Sequence, residues 1–525
     1  MRHEWTFMVY MAGDNGRIFK DGMQLMDNLE GYGWIDIKEM SSVGSTDEVA
    51  ILVQYDTLDA TETPRFFIDG SNETGTLVER VPPVNTGDPK NLTDFIVWGI
   101  ENYPAKNYAL VLWNHGTGWK EEDIYARYRR TREIAHRDHQ VRAVGSRKRM
   151  LKHAFFLPTA ATIMSVEDDQ TRAICYDDTS MDFLDNRDLV KAFRGAEERT
   201  GGRLSVLGMD ACLMSMVEVA YQVREHADYM VGSQEVEEGY GWPYDAILQE
   251  LVGSPEMSPL DLSKLIVTKF GEYYMGGSRD GGGINTQAAV DLHTIPRTFA
   301  KIKALSGLVA GVYTTDFKTE LAVTRAQRDA EDFEDEDYVD LRHLMQCIRD
   351  EYSGSLEVRD LASDLVEHLT PEATASPIVE NFHGLGRPNA NGLSIYFPTK
   401  RYSPFYDKQA FTLSGWNKVI RRANRVKAPE LKAVAESAGT RAASSTAHLI
   451  VCPVCEGVIQ VPANIAEIGE TVETGPVRDL VEQIVAAIQQ ALASPTAEAS
   501  QWIDLSCLHC GHTFHYYVKT GETRR

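Results

Sequence analysis

Tyr108–Gly116, YALVLWNHG, and Leu204–Met214, LSVLGMDACLM, decide how the chain is read. Each is an apolar run suited to a buried strand, and each stops abruptly at polar, reactive residues. The first delivers His115 and Gly116; the second delivers Asp210 and then Cys212. Strands buried on both faces read as continuous apolar runs, the habit of parallel sheets. Ligands of such sheets bind beyond the carboxyl ends of the strands. A free thiol with pKa near ~8.5 needs a neighbouring imidazole to become a nucleophile, and two adjacent strand ends can supply both groups. The pattern points to a cysteine peptidase.

Outward from these segments, strand-like runs recur at Phe7–Ala12, Val49–Tyr55 and Tyr229–Gly232. Helical patterns lie between them at Asn91–Asn102, Asn186–Thr200 and Met214–His226. The alternation predicts an α/β fold with a mostly parallel sheet flanked by helices. A helix opening just after Cys212 would set its N-terminus near the sulfur and favour the thiolate. Cys212 is the expected nucleophile, and His115 the general base and later the acid for the leaving amine. Gly116 would let the substrate carbonyl approach, its N–H forming an oxyanion hole with that of Cys212. Asp210 lies two residues before the nucleophile and so on the same side of the strand edge. Its carboxylate could select Arg or Lys before the scissile bond, cap the following segment, or do both. Glu235 is a candidate second acid for that pocket. Cys175 and Cys347 read as inert buried thiols.

With 525 residues, 43% of them hydrophobic and 25% charged, the chain is globular and long enough for two or three domains. No apolar run approaches the ~18 residues of a membrane helix. The opening MRHEWTFMVYMAGD alternates like a strand and lacks a basic leader region and a small-residue cleavage site. The expected location is therefore cytoplasmic, with no membrane partner. A formal net charge of −24 disfavours nucleic acid as a partner.

Several ordered landmarks together resemble the clostripain family of caspase-like cysteine peptidases. They are WTFMVYMAGDN (Trp5–Asn15), the two strand ends, ICYDDTSMDFL (Ile174–Leu184), GSQEVEEGYGWPYDAIL (Gly232–Leu248) and NGLSIYFP (Asn391–Pro398). The resemblance covers roughly residues 1–426. It implies a caspase-like sheet, a His–Cys dyad without a third member, polypeptide substrates with Arg or Lys, and Asp210 as the acid that selects them.

One segment interrupts this region, an insert over 120–173. From Arg127 to Lys152 it carries ten Lys or Arg against two acids, in an otherwise acidic chain. Family members with trypsin-like preference cut themselves in this inter-strand loop, so the resemblance implies self-processing, with a partner-binding insert as the rival. Some relatives depend on calcium, and the clustered carboxylates of Asp329–Asp340, DAEDFEDEDYVD, could hold such a hard cation. The run lacks a spaced ligand loop with a turn-forming Gly, so a solvated acidic surface is the preferred reading.

Residues 427–447, rich in Ala, Ser, Glu and Lys, read as a linker. Residues 448–525 carry Cys452-Pro-Val-Cys455 and Cys507-Leu-His-Cys510 around a helical pattern at Val477–Leu492. Four thiolates on two tight knuckles make a closed tetrahedral Zn²⁺ site, so a small zinc-ribbon-like domain is expected, with His512 and His515 as reserve ligands. The rival to an active enzyme is a catalytically silent, peptide-binding adaptor whose ribbon recruits a protein partner.

Overall fold

The computed structural model describes residues 2–118 and 174–425, apart from 16–18, 21–22, 25–28, 59, 181, 276–282, 313–316, 352–355 and 400–401; beyond 447 it describes five strands only. The chain falls into two compact units, Met1–Ala428 and Pro429–Arg525.

The first unit is built on a nine-stranded sheet. Its strands in chain order are β1 (His3–Gly13), β2 (Val49–Thr57), β3 (Thr63–Phe67), β4 (Thr76–Val81), β5 (Ala105–Trp113), β6 (Leu204–Asp210), β7 (Ala227–Gly232), β8 (Thr286–Asp291) and β9 (Ile378–His383). Across the sheet the order is β9-β8-β7-β6-β5-β1-β2-β3-β4. The five central strands run parallel, and all five were legible as apolar runs. Both margins are antiparallel, so the parallel centre is framed by antiparallel edge strands. Short connections explain one margin: residues 58–62 and 68–75 are too few for the crossover that a parallel partner demands.

Helices α1 (Glu30–Val43), α2 (Pro89–Asn102), α3 (Asn186–Thr200) and α4 (Val217–Val223) lead into the parallel strands β2, β5, β6 and β7 in turn. The α3 helix starts at a capping box in which Asp185 and Asp188 exchange hydrogen bonds with each other's backbone, and it ends at left-handed Gly201. Every residue of β6 is buried, as is β1 from Trp5 onward, which is why these strands could not alternate with polar residues. From β1 the chain leaves to β2 on one side and returns through β5, β6 and β7 on the other. That reversal makes the carboxyl ends around β1, β5 and β6 a topological switch point, where a crevice can form.

In the second unit His448–Val451 pairs antiparallel with Val458–Val461, and Trp502–Ser506 with Thr513–Tyr517, which also pairs with Glu522–Arg524. Both CxxC pairs, His512 and the Val477–Leu492 pattern lie outside the described residues, as does Arg127–Lys152. No described helix is long and apolar enough to cross a membrane.

Candidate functional site

The site begins with a register. Trp113 at the end of β5 pairs directly with Asp210 at the end of β6, and Asn114 N–H donates to the Asp210 carbonyl at 3.3 Å. Two residues beyond that pair stand His115 and Cys212, each only 1% exposed. Gly116 packs against the turn after β6: a Cβ there would lie 2.5 Å from the Cys212 carbonyl oxygen and 3.1 Å from its nitrogen. Only glycine permits that approach.

Three ties hold the His115 strand end in place. Asn114 Nδ2 donates to the Ala12 carbonyl and, at 2.9 Å, to Asn15 Oδ1, while Asn114 Oδ1 accepts from Tyr176 N–H at 2.8 Å. Gly116 forms an antiparallel bridge with Ile174. Tyr338 donates its hydroxyl to the Thr117 carbonyl at 2.8 Å.

The Cys212 side differs from expectation. Leu213 takes a left-handed φ of 63°, and Ser215 N–H donates to the Ser233 carbonyl while its carbonyl accepts from Ser394 N–H. These pairings keep 213–216 out of a helix, and α4 starts only at Val217. Among the described residues no helix N-terminus therefore meets the sulfur. Instead Cys212 Sγ accepts from Glu237 N–H at 3.2 Å and lies 3.9 Å from the Glu237 carbonyl oxygen. Burial, followed by the charges of Glu237, Glu235 and Asp210, pushes the thiol well above its ordinary range.

Asp210 is fully buried beneath the turn that follows β7. Its Oδ2 accepts from Tyr244 O–H at 2.9 Å and Trp242 N–H at 3.3 Å. Gly241, with φ 54°, covers the carboxylate; a Cβ there would stand 2.9 Å from Oδ2. Neither Asp210 Oδ1 nor Glu237 Oε2 has an N–H or O–H partner among the described residues. The two carboxyls interact directly. Burial pushes both up, and repulsion from Asp210 drives Glu237 further. Gln287 Nε2 steadies Glu237 Oε1 at 3.3 Å.

The second acid beside Asp210 is thus Glu237, not Glu235. Glu235 forms an ion pair with Arg387 and accepts from Val236 N–H at 2.8 Å and Glu334 N–H at 3.0 Å. Its carboxyl is pushed up to about 7 by burial, against the pull of Arg387. Glu237 sits in the same GSQEVEEGYGW segment, but nothing in a turn without periodicity distinguishes position 237 from 235.

The acidic run near 329–340 forms neither a cation cluster nor a uniformly solvated face. Asp329 pairs with Arg328, while buried Asp340 accepts from Gln234 Nε2 at 3.0 Å, His343 N–H at 2.7 Å and Asn391 N–H at 2.6 Å. Cys175 is buried and free, its thiol pushed up by burial, and Cys347 is half-buried rather than fully buried.

The sequence model of the Clostripain family matches residues 9–142 and 161–420. Clostripain of Hathewaya histolytica is 24% identical over 372 residues, 63% of this chain; the chain spans about 62% of that curated relative's length. Among solved structures, a secreted C11 cysteine protease of Bacteroides thetaiotaomicron is similar with a TM-score of 0.54 at 16% identity, covering 79% of this chain and 99% of its own. An inactive zymogen C11 protease of Parabacteroides distasonis is similar with a TM-score of 0.51 at 19% identity, covering 79% and 98%. At such identities the solved structures speak for the fold alone.

Proposed function

The chain belongs to the clostripain family, and from that premise we propose that it is a cysteine endopeptidase cleaving polypeptides after Arg or Lys. The observation that carries the reading is the register of β5 on β6, which sends His115 and Cys212 from adjacent strand ends with Gly116 against the Cys212 backbone. Cys212 gives its proton to His115 and attacks the scissile carbonyl. The N–H groups of Gly116 and Cys212 take the developing oxyanion. Protonated His115 then returns the proton to the leaving amine, and water activated by His115 hydrolyses the thioester to regenerate the thiol.

A cationic substrate side chain would enter beside Asp210 and Glu237 and favour their ionised forms. Its charge would also offset the acids that keep the Cys212 thiol protonated. Because His115 and Cys212 are both buried, a peptide reaches them only after part of the surrounding chain moves. The basic segment Arg127–Lys152 is the proposed site of self-cleavage, after one of Arg127, Arg129, Arg130, Arg147, Lys148 or Arg149. Cleavage there would release the connection between the two strands of the dyad.

In the second unit one structural Zn²⁺ is proposed on Cys452, Cys455, Cys507 and Cys510. The reading is supported by the donor set, four thiolates in two CxxC pairs. A partner docking on this unit remains part of the same proposal.

The test is intact-mass analysis of freshly purified protein beside Cys212→Ala, with a basic peptidyl chloromethyl ketone as the thiol label. The wild type should appear as two fragments labelled once at Cys212, and the variant as one unlabelled chain near 58.7 kDa. A folded wild type that neither labels nor cleaves would favour the silent adaptor.

A further inference from the structure

Glu235 does not line the pocket with Asp210, yet it is tied to the nucleophile through its backbone. The Glu235 carbonyl accepts from Leu213 N–H at 3.1 Å, and two residues on, Glu237 N–H donates to Cys212 Sγ at 3.2 Å. The Glu235 N–H in turn donates to the Thr286 hydroxyl at 3.0 Å, at the start of β8. Its side chain is fully buried. Oε1 takes the N–H groups of Val236 and Glu334, and Oε2 takes the guanidinium of Arg387. A buried charge and the turn that carries Cys212 therefore meet in one residue.

Arg387 arrives from the turn after β9, which is seated where Gly384 N–H donates to the Asn285 carbonyl at 2.8 Å. Its guanidinium also reaches the acidic stretch before α-helical Leu341: Nη1 donates to the Asp332 carbonyl at 2.8 Å and lies 3.6 Å from Glu331 Oε1. The guanidinium carbon stands 5.8 Å from the centre of the Phe333 ring. A planar fork with several donors can serve both loops at once, which a single ammonium cannot. With the Arg387 side chain only 18% exposed and Glu235 at 0%, the pair is largely dry. Removing one member of such a pair strands a charge that water cannot reach.

The charged groups that act on Glu235 are Arg387, which favours its ionised form, and Glu334, which opposes it. Those that act on the Cys212 thiol are Glu237, Glu235 and Asp210, all of which hold the proton on sulfur. Arg387 is thus placed to offset one of the three acids that oppose the thiolate. We propose that Arg387 is a positioning residue of the peptidase: by clamping Glu235 it holds residues 235–237 against the nucleophile turn and keeps the charge of Glu235 from acting on Cys212. This role rests on the cysteine-peptidase reading of His115 and Cys212.

The test compares the full chain with Arg387→Gln, Arg387→Lys and the double variant Glu235→Gln/Arg387→Gln, each well below its melting midpoint. Hydrolysis of an Arg peptide amide gives kcat and KM; iodoacetamide labelling, followed by mass at the Cys212 peptide, gives thiol reactivity against pH. In Arg387→Gln the charge of Glu235 falls on the thiol. Labelling at pH 8 should slow about tenfold, as for a one-unit rise in thiol pKa, and kcat should drop about 10²-fold through misplacement. Glu235→Gln keeps the oxygen that takes both N–H bonds and removes the charge. The double variant should therefore label like the parent and recover kcat to within about tenfold, a coupling that only interacting residues show. A part confined to fold stability would lower the melting point and leave both readouts alone. Arg387→Lys keeps the charge without spanning both loops, so it should label like the parent with kcat about tenfold lower. A folded Arg387→Gln within about threefold of the parent in both readouts would overturn the proposal, as would losses that Glu235→Gln does not reverse. If Arg387→Gln does not fold, an Arg387→Lys protein with parental kcat overturns it instead. A parent that hydrolyses no Arg peptide would refute the peptidase reading, and the labelling profiles would then decide the clamp by themselves.

Discussion

Replacing Gly116 with alanine tests the closest approach in the site. The added Cβ would stand 2.5 Å from the Cys212 carbonyl oxygen, 2.8 Å from the Ala211 Cβ and 3.1 Å from the Cys212 nitrogen. Non-bonded carbon settles at about 3.5 Å or more, so one strand end must retreat by roughly 1 Å. None of the three atoms is the tip of a flexible side chain, so no rotamer change can absorb the clash. Overpacking of this kind costs about 1–3 kcal/mol of stability. A 1 Å error between reacting groups costs about 10²-fold in rate, and losing one oxyanion donor about 10²–10³-fold. The expected fall in kcat is therefore about 10²–10³, or ~3–4 kcal/mol of barrier. KM for an Arg substrate should change little, because Asp210 and Glu237 are untouched. Steady-state hydrolysis of an Arg peptide amide, with a melting curve and the rate of Cys212 alkylation, reads all three quantities. A folded Gly116→Ala protein with kcat within a few-fold of the parent would refute both the packing argument and the role given to Gly116.

Three further outcomes are expected. Asp210→Asn, alone or with Glu237→Gln, should lower kcat/KM for Arg and Lys peptides by about 10²-fold or more, since a buried cation would lose its partner; a peptide library showing the preference unchanged would exclude this pocket. Glu218 is buried, with Oε1 accepting from Tyr396 N–H and Tyr406 O–H, and burial pushes it up to about 7 from 4.5. Its folded pKa is the higher one, so its stabilising contribution is complete below about pH 4.5 and is lost as pH rises through about 7. Glu218→Gln should match the wild type at pH 4 and exceed it at pH 8 by up to about 3 kcal/mol, a difference that parallel melts would show or deny. Chelation should strip one Zn²⁺ per chain and unfold the second unit; removing residues 447–525 should leave peptidase turnover largely intact, as elemental analysis and a truncated chain would establish.

The central strands, and the place of His115 and Cys212 just past two adjacent strand ends, were legible because fully covered parallel strands must be apolar throughout. The first polar residue then marks the strand end, as at Asn114 and Asp210. What tertiary contacts decide was not legible. The run LMSMVEVAYQV has helical spacing, yet pairing of Ser215 with Ser233 and Ser394 delays the helix to Val217. Glu237 takes the place expected of Glu235 because Arg387, 152 positions away, claims Glu235. The acidic run near 329–340 suggested a solvated surface, but Asp340 is buried at a junction with Gln234 and Asn391.

The placement of β5 beside β6 has a kinetic consequence. A cut between Gly118 and Ile174 would leave five paired residues, Ala109–Trp113 on Val206–Asp210, in the middle of the sheet. The native state would barely register the break, but the route back to it would change. An intact chain refolds by a unimolecular search, whereas the two pieces must find each other, at a rate set by concentration. Melting then becomes a one-way event in dilute solution, and survival depends on how slowly the halves part rather than on an equilibrium. Maturation would thus trade reversibility for persistence: a heated and cooled sample of the cut protein should recover in proportion to its concentration, and the uncut chain should not.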